Sequence, residues 1–223
     1  MKTLLLLLAF ALVCAEGRPC VAEEPAAAGL ESLGEGRFRI GNVLFEKEAG
    51  QITLPGRVNM NEGLIEVFAC TERGKLHEAT LVLDVDPLHL QLALISLGLE
   101  YGRVLEEQGE ARRPEGDPVL VFVEWGEGES KQRWRAEDLI WNGPAESPME
   151  HVSWVFAGSK VINGTFMASV EGQLITTYHD PYAILDNPLE SGADDTVYFS
   201  NQERLPSPGT PITMVIEDAR SRD

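Results

Sequence analysis

The stretch Gly116-Asp-Pro-Val-Leu-Val-Phe-Val-Glu124 returns near the C-terminus as Gly209-Thr-Pro-Ile-Thr-Met-Val-Ile-Glu217. Each copy stands a similar distance behind an Asp-Pro pair: Pro87 to Pro118 is 31 residues, and Pro181 to Pro211 is 30. Upstream, Phe68 and Gly74 are six apart, as are Phe166 and Gly172, and the offset between copies drifts from 98 through 94 to 93. Small loop deletions would produce that drift. Self-similarity at long period constrains architecture before any single residue is interpreted. It predicts an internal duplication, with units at about 37–125 and 133–217 forming two pseudo-symmetric lobes in one domain.

The local patterns are those of strands. Phe38 to Glu46 and Gln51 to Asn59 read as strands around Glu48-Ala-Gly50, Leu64 to Cys70 alternates, and His77 to Val85 and Val119 to Trp125 are apolar runs of strand length. Asp86-Pro87 opens a helix, because Asp accepts from free N-terminal N–H groups and Pro at the first helical position has the right φ and no donor to waste. The helix runs from Leu88 to Leu97 and stops at Gly98. With only His89, Gln91 and Ser96 interrupting its apolar residues, it is expected to be surrounded by protein. In the second unit Asn163-Gly164 predicts a hairpin, and Asp180-Pro181 predicts a brief capped helix through Leu185. The expected class is α+β: strand-rich sheets with two short helices.

Lys2 followed by the apolar run Thr3 to Val13, with Val13 and Ala15 as small cleavage determinants, reads as a signal peptide over 1–15. Its run of 11 residues falls short of the roughly 20 that span a bilayer. The expected protein is exported, periplasmic or extracellular, without a transmembrane segment. Cys14 follows Val13 and Cys20 follows Pro19, neither the small residue that lipidation requires. Residues 16–36, with Glu23-Glu-Pro-Ala-Ala-Ala-Gly29 and Gly34-Glu-Gly36, have no apolar period and read as a disordered linker. Residues 218–223 read as a frayed tail.

Beyond the signal, 17 basic residues face 36 acidic ones, which makes nucleic acid and anionic lipid poor partners. Cys20 and Cys70 alone remain there, so there is no disulfide framework and no Cys-x-x-Cys. Whether those two pair stays open.

Gly74-Lys-Leu-His-Glu-Ala79, Trp154-Val-Phe-Ala-Gly-Ser159, His179-Asp-Pro-Tyr-Ala-Ile-Leu-Asp-Asn-Pro188 and the Gly-x-Pro strand resemble the YdjY-domain family of bacterial proteins, over about Arg37 to Glu217. The resemblance implies an exported single-domain protein and brings no activity with it. The family's namesake is described as ferredoxin-like through an added cysteine-rich segment. This chain has no such segment, so no iron–sulfur cluster is expected.

Chemistry is sparse. The histidines are His77, His89, His151 and His179. His77-Glu78 and His179-Asp180 are the pairs that suit a divalent metal, although adjacent strand residues point to opposite faces. Asp180 and Pro181, like Asp86 and Pro87, read first as structural caps. Asp84, Asp86, Asp194 and Asp195 offer oxygen ligands without an EF-hand loop. Ser159 lacks a nucleophile elbow. Trp125, Trp134, Trp141 and Trp154 read as core. No cofactor is predicted. The leading expectation is a non-enzymatic binding or interaction module, with Tyr178, His179 and Asn187 at a ligand groove between the lobes. Its partner would be an unidentified ligand or an envelope protein. The alternative is a metal-binding protein or metal-dependent enzyme using His77, Glu78 and His179.

Overall fold

A computed structural model describes residues 29–220. The signal, Cys14, Cys20, most of the linker and residues 221–223 lie outside that range. The strands are β1 (Glu31–Gly34), β2 (Arg37–Ile40), β3 (Val43–Glu46), β4 (Gln51–Val58), β5 (Val67–Cys70), β6 (Ala79–Leu83), β7 (Pro118–Trp125), β8 (Gln132–Arg135), β9 (Ile140–Asn142), β10 (Ser147–Pro148), β11 (Trp154–Phe156), β12 (Val161–Ile162), β13 (Thr165–Phe166), β14 (Gln173–Thr176), β15 (Leu185–Asp186), β16 (Tyr198–Ser200) and β17 (Pro211–Asp218). Two α-helices, α1 (Pro87–Ser96) and α2 (Met167–Glu171), complete the elements used below.

The chain is not an α+β protein of two lobes. Eight strands close a single barrel in the order β4-β17-β7-β11-β15-β14-β5-β6, and β6 returns to β4 through Gly56↔Leu83, Arg57↔Val82 and Val58↔Leu81. Closure removes sheet edges that would otherwise present unpaired N–H and C=O groups. The echoed segments are β7 and β17, which lie side by side, antiparallel, from Thr213↔Glu124 to Asp218↔Val119. Exchanging β4 with β11, β5 with β14, β6 with β15 and β7 with β17 leaves every pairing of the ring in place, including the parallel pairs β5–β6 and β14–β15. The halves nevertheless interdigitate, because β17 is inserted between β4 and β7, so no seam separates lobes. The Asp-Pro pairs do not correspond in that exchange either. Asp86-Pro87 follows β6, whereas Asp180-Pro181 falls between β14 and β15.

The barrel interior comes from period-2 alternation. Val119, Val121 and Val123 of β7 are buried while Leu120 and Phe122 are half-buried, and Ile52, Leu54 and Val58 of β4 join the same core. Phe68 and Trp154 stack inside it with centroids 6.1 Å apart. Glycine is required at several close approaches, two of them at joints of the barrel. A Cβ on Gly56 would meet the Val82 carbonyl oxygen at 2.5 Å where β4 turns from β3 to β6. At the β5–β14 seam, Gly172 has φ +73° and its Cβ would stand 2.6 Å from the Gly74 nitrogen.

Outside the barrel, β1, β2 and β3 continue from β4 as an antiparallel meander. Pairing therefore begins at Glu31, inside the stretch read as linker; β1 is an exposed edge and carries no apolar alternation to reveal it. At the other end β17 runs to Asp218, and Arg220 ties to Asp218 and Asp117 at 2.8 and 2.9 Å. A small sheet β10-β9-β16 packs alongside, and β12–β13 form a hairpin with positive φ at Asn163 and Gly164. The second helix is α2, directly after that hairpin. Pro181–Leu185 is not helical: Asp180 Oδ1 accepts from the Tyr182 N–H in a tight turn, and β15 follows at once.

Candidate functional site

The segment Gln173–Asn187 holds a buried polar knot. His179 is fully buried; its Nδ1 meets the Glu110 carbonyl oxygen at 2.7 Å and its Nε2 the Asn187 carbonyl oxygen at 3.0 Å. Each ring nitrogen thus faces a backbone carbonyl oxygen, and one N–H is enough to donate to either. Asn187 is satisfied, donating from Nδ2 to Thr177 O at 2.9 Å and accepting at Oδ1 from Leu189 N at 3.0 Å. Gly192 lets the chain lie on the imidazole, since a Cβ there would be 2.3 Å from His179 Nε2. Tyr178 is half-buried, with its hydroxyl 2.2 Å from where a Gly109 Cβ would stand.

Two carboxylates sit in this knot. Burial pushes Asp186 well above the usual carboxylate range, opposed by the N–H groups of Asp180 and Asn187 and by the Thr176 hydroxyl. Burial also raises Asp180, opposed by the Tyr182 N–H and by Gln108, whose Nε2 donates to Oδ2 at 2.7 Å. Gln108 belongs to a loop strapped across the knot. Gly109 N donates to His179 O, Lys160 Nζ to Glu106 O, and Arg112 to Glu110 and to Val104 O. Most polar groups of the knot are directed at another part of the chain, Gln173 Oε1 being buried without a hydrogen-bond partner among the described residues, so the arrangement is that of a clasp holding loop 103–113 on the barrel.

The metal candidates are not brought together. His77 is 79% exposed on the turn before β6 and faces Glu78, at 3.6 Å. Glu78 is engaged by Lys75 at 2.9 Å, and Lys75 also holds Glu66 at 2.7 Å. His179 is buried in the clasp. Of the calcium candidates, Asp84 accepts from Asn42 at 3.0 Å, Asp86 Oδ1 caps α1 by accepting from Leu88 N at 2.8 Å, and Asp194 accepts from Thr196 at 2.9 Å. Among the described residues, no three His, Cys, Asp or Glu side chains gather as a metal site. Cys70 is buried in β5, and burial together with Glu72 pushes its thiol up to about 12, which keeps it protonated and unreactive.

The sequence reading missed the outer face of α1. Leu90, Ala93 and Leu94 are buried against the barrel, but Leu88, Leu92 and Ile95 are exposed by 44, 40 and 44%. That corrects the expectation of a helix surrounded by protein. Positions i, i+4 and i+7 form one stripe along a helix. From Pro87 to Leu99 the chain has no Asp, Glu, Lys or Arg, so the stripe is uninterrupted by charge. Val170 of the adjoining α2 is 52% exposed. Among the described residues no helix is long and apolar enough to cross a membrane. The sequence signal was available: Leu88 to Leu97 has no charged face, and α1 is packed on one flank only, against β3 and α2 and the core they share.

The architecture defines a closed, strand-dominated barrel carrying one charge-free helix on its surface. The chain matches the YdjY domain over residues 43–217 and belongs to that family. Neither a curated protein nor a solved structure matches it.

Proposed function

We propose that this chain is an exported, non-enzymatic interaction module that docks a second protein through α1. The observation that carries the reading is the stripe Leu88, Leu92 and Ile95, three large apolar side chains in water on a single helix. An amphipathic partner segment laid on such a stripe removes apolar area from water at about 25 cal/mol per Å². Charge indicates the kind of partner. Asp84 and Asp86 precede the helix, Glu100 follows it, and all three are exposed. The whole chain carries a net charge of −18. A second copy would bring the same acids to the contact, whereas a partner whose apolar segment is flanked by Lys or Arg complements them. Export is supported by Lys2 and the apolar run ending at Val13. The clasp at His179 supports a structural role for the residues first read as a ligand groove.

The test is a benzophenone amino acid placed at position 92 and irradiated in cells that produce the protein. The expected result is a discrete adduct that disappears when Leu88→Glu and Ile95→Glu are added to a chain still folded by circular dichroism. The same probe at exposed Val161 serves as the reference. No adduct from 92 above that from 161 overturns the reading, and an adduct of twice the chain mass replaces the basic-flanked partner with a second copy.

A further inference from the structure

We infer that the cleft at Trp141 and Phe199 is a binding site for an organic cation, either a free alkylammonium or guanidinium compound or such a group on a protein side chain. The inference does not depend on what α1 binds.

The site grows out of the small sheet. In β9 and β16, Trp141 stands opposite Phe199, and Leu64 bridges to Phe199 from the far side. Strand alternation turns Ile140, Tyr198 and Ser200 inward, where all three are buried, and leaves Trp141, Phe199 and Leu64 as a row on the outer face. Leu64 is 42% exposed. Gly143 admits the backbone to the edge of the Phe199 ring, since a Cβ there would be 2.9 Å from Cε2. The result is a cleft of about 370 Å³ lined by both aromatics, Glu62 and Glu203, within the volume range of small-molecule sites.

Charge narrows the ligand. The carboxylates of Glu62 and Glu203 are exposed, and neither has an ion-pair partner among the described residues. The neighbouring base, Arg204, is held elsewhere, on Asp138 at 2.5 Å and over the Trp134 ring at 5.0 Å. An aromatic pair flanked by two unneutralised acids repels anions. It offers a neutral ligand only its apolar surface. A cation with a carbon-clad head gains from both, by attraction to the negative ring faces, for which Trp is the best partner, and by Coulomb attraction to the carboxylates.

The experiment titrates choline into the protein and follows the Trp141 indole N–H by NMR, the signal being assigned with Trp141→Phe. Parallel titrations use 3,3-dimethylbutan-1-ol, the neutral carbon isostere of choline, and the blocked tripeptide acetyl-Gly-Lys-Gly-amide. The expected result is a saturable shift with a cation and binding about fivefold weaker for the neutral isostere. Glu62→Gln with Glu203→Gln should erase that preference, and Trp141→Leu should weaken the remaining binding, with the thermal midpoint of each variant unchanged. Response to choline assigns the site to a free ligand, and response to the tripeptide alone assigns it to a cation presented by a protein. Equal binding of choline and its isostere, choline binding unaffected by the double Gln variant, or no saturable shift with either cation would overturn the inference.

Discussion

Replacing Gly172 by Ala tests the closure of the barrel at the crowded joint between β5 and β14. Gly172 ends α2 in the left-handed region, and its carbonyl accepts from Thr71 N at 2.8 Å across the β5–β14 seam. The new Cβ would lie 2.6 Å from Gly74 N, 2.7 Å from Thr71 Oγ1 and 2.9 Å from the Arg73 carbonyl carbon. Left-handed backbone costs an L-residue about 1 kcal/mol. Relief of the clash must move α2 away from β5, which loses the Thr71 hydrogen bond at about 1 kcal/mol and packing of similar size, about 3 kcal/mol in all. Gly164→Ala is the internal reference. It has φ +80° and nothing within 4 Å of its Cβ, so it carries the backbone cost alone. With a urea slope of about 2 kcal/mol per M, the Gly172 variant should unfold about 1 M earlier than the Gly164 variant. Equal midpoints would refute the reasoning, because they would mean that Gly172 is not pressed against β5.

Glu137→Gln should cost about 3 kcal/mol in urea unfolding, since Glu137 is fully buried and holds Arg135 at 2.7 and 3.0 Å; Arg135→Met with Glu137→Leu should cost less than either single change. Asp86→Ala should cost about 1 kcal/mol through loss of the α1 cap, read from the same unfolding curves. Asp186 is raised in the folded state by burial, so its contribution to stability is fully present below its unfolded value and is lost as pH rises through its folded one. Urea midpoints from pH 4 upward should fall less steeply in Asp186→Asn than in the native chain; parallel profiles would remove Asp186 as the cause.

Local chemistry was readable where it acts over a few residues. Asn163-Gly164 needs positive φ at both positions, and Asp86-Pro87 supplies a side-chain acceptor and a preset φ; each is decided within four residues. The barrel is decided elsewhere. Its closing contacts join Gly56 to Leu83 and Gln173 to Cys70, and β15 contributes only Leu185 and Asp186, too short for any periodicity to register. The echo of β7 and β17 was visible but ambiguous, since similar strands can face each other across a seam or lie side by side. His179 and Asn187 do meet, but as members of a clasp. Gln108 and Asp186 were not anticipated, because a buried carboxylate is identified by neighbours that come from distant loops. The family match to the YdjY domain agrees with the resemblance read from residues 37–217.

If α1 is a docking face, another protein covers it in the working environment. The most direct measurement is the maleimide reactivity of Leu92→Cys in intact producing cells and in purified protein, with Val161→Cys as reference and the parent chain correcting for native thiols. Purified protein should label at both positions, as exposures of 40 and 62% require, while in cells position 92 should be protected and position 161 should not. Equal labelling of the two positions in cells would contradict the account.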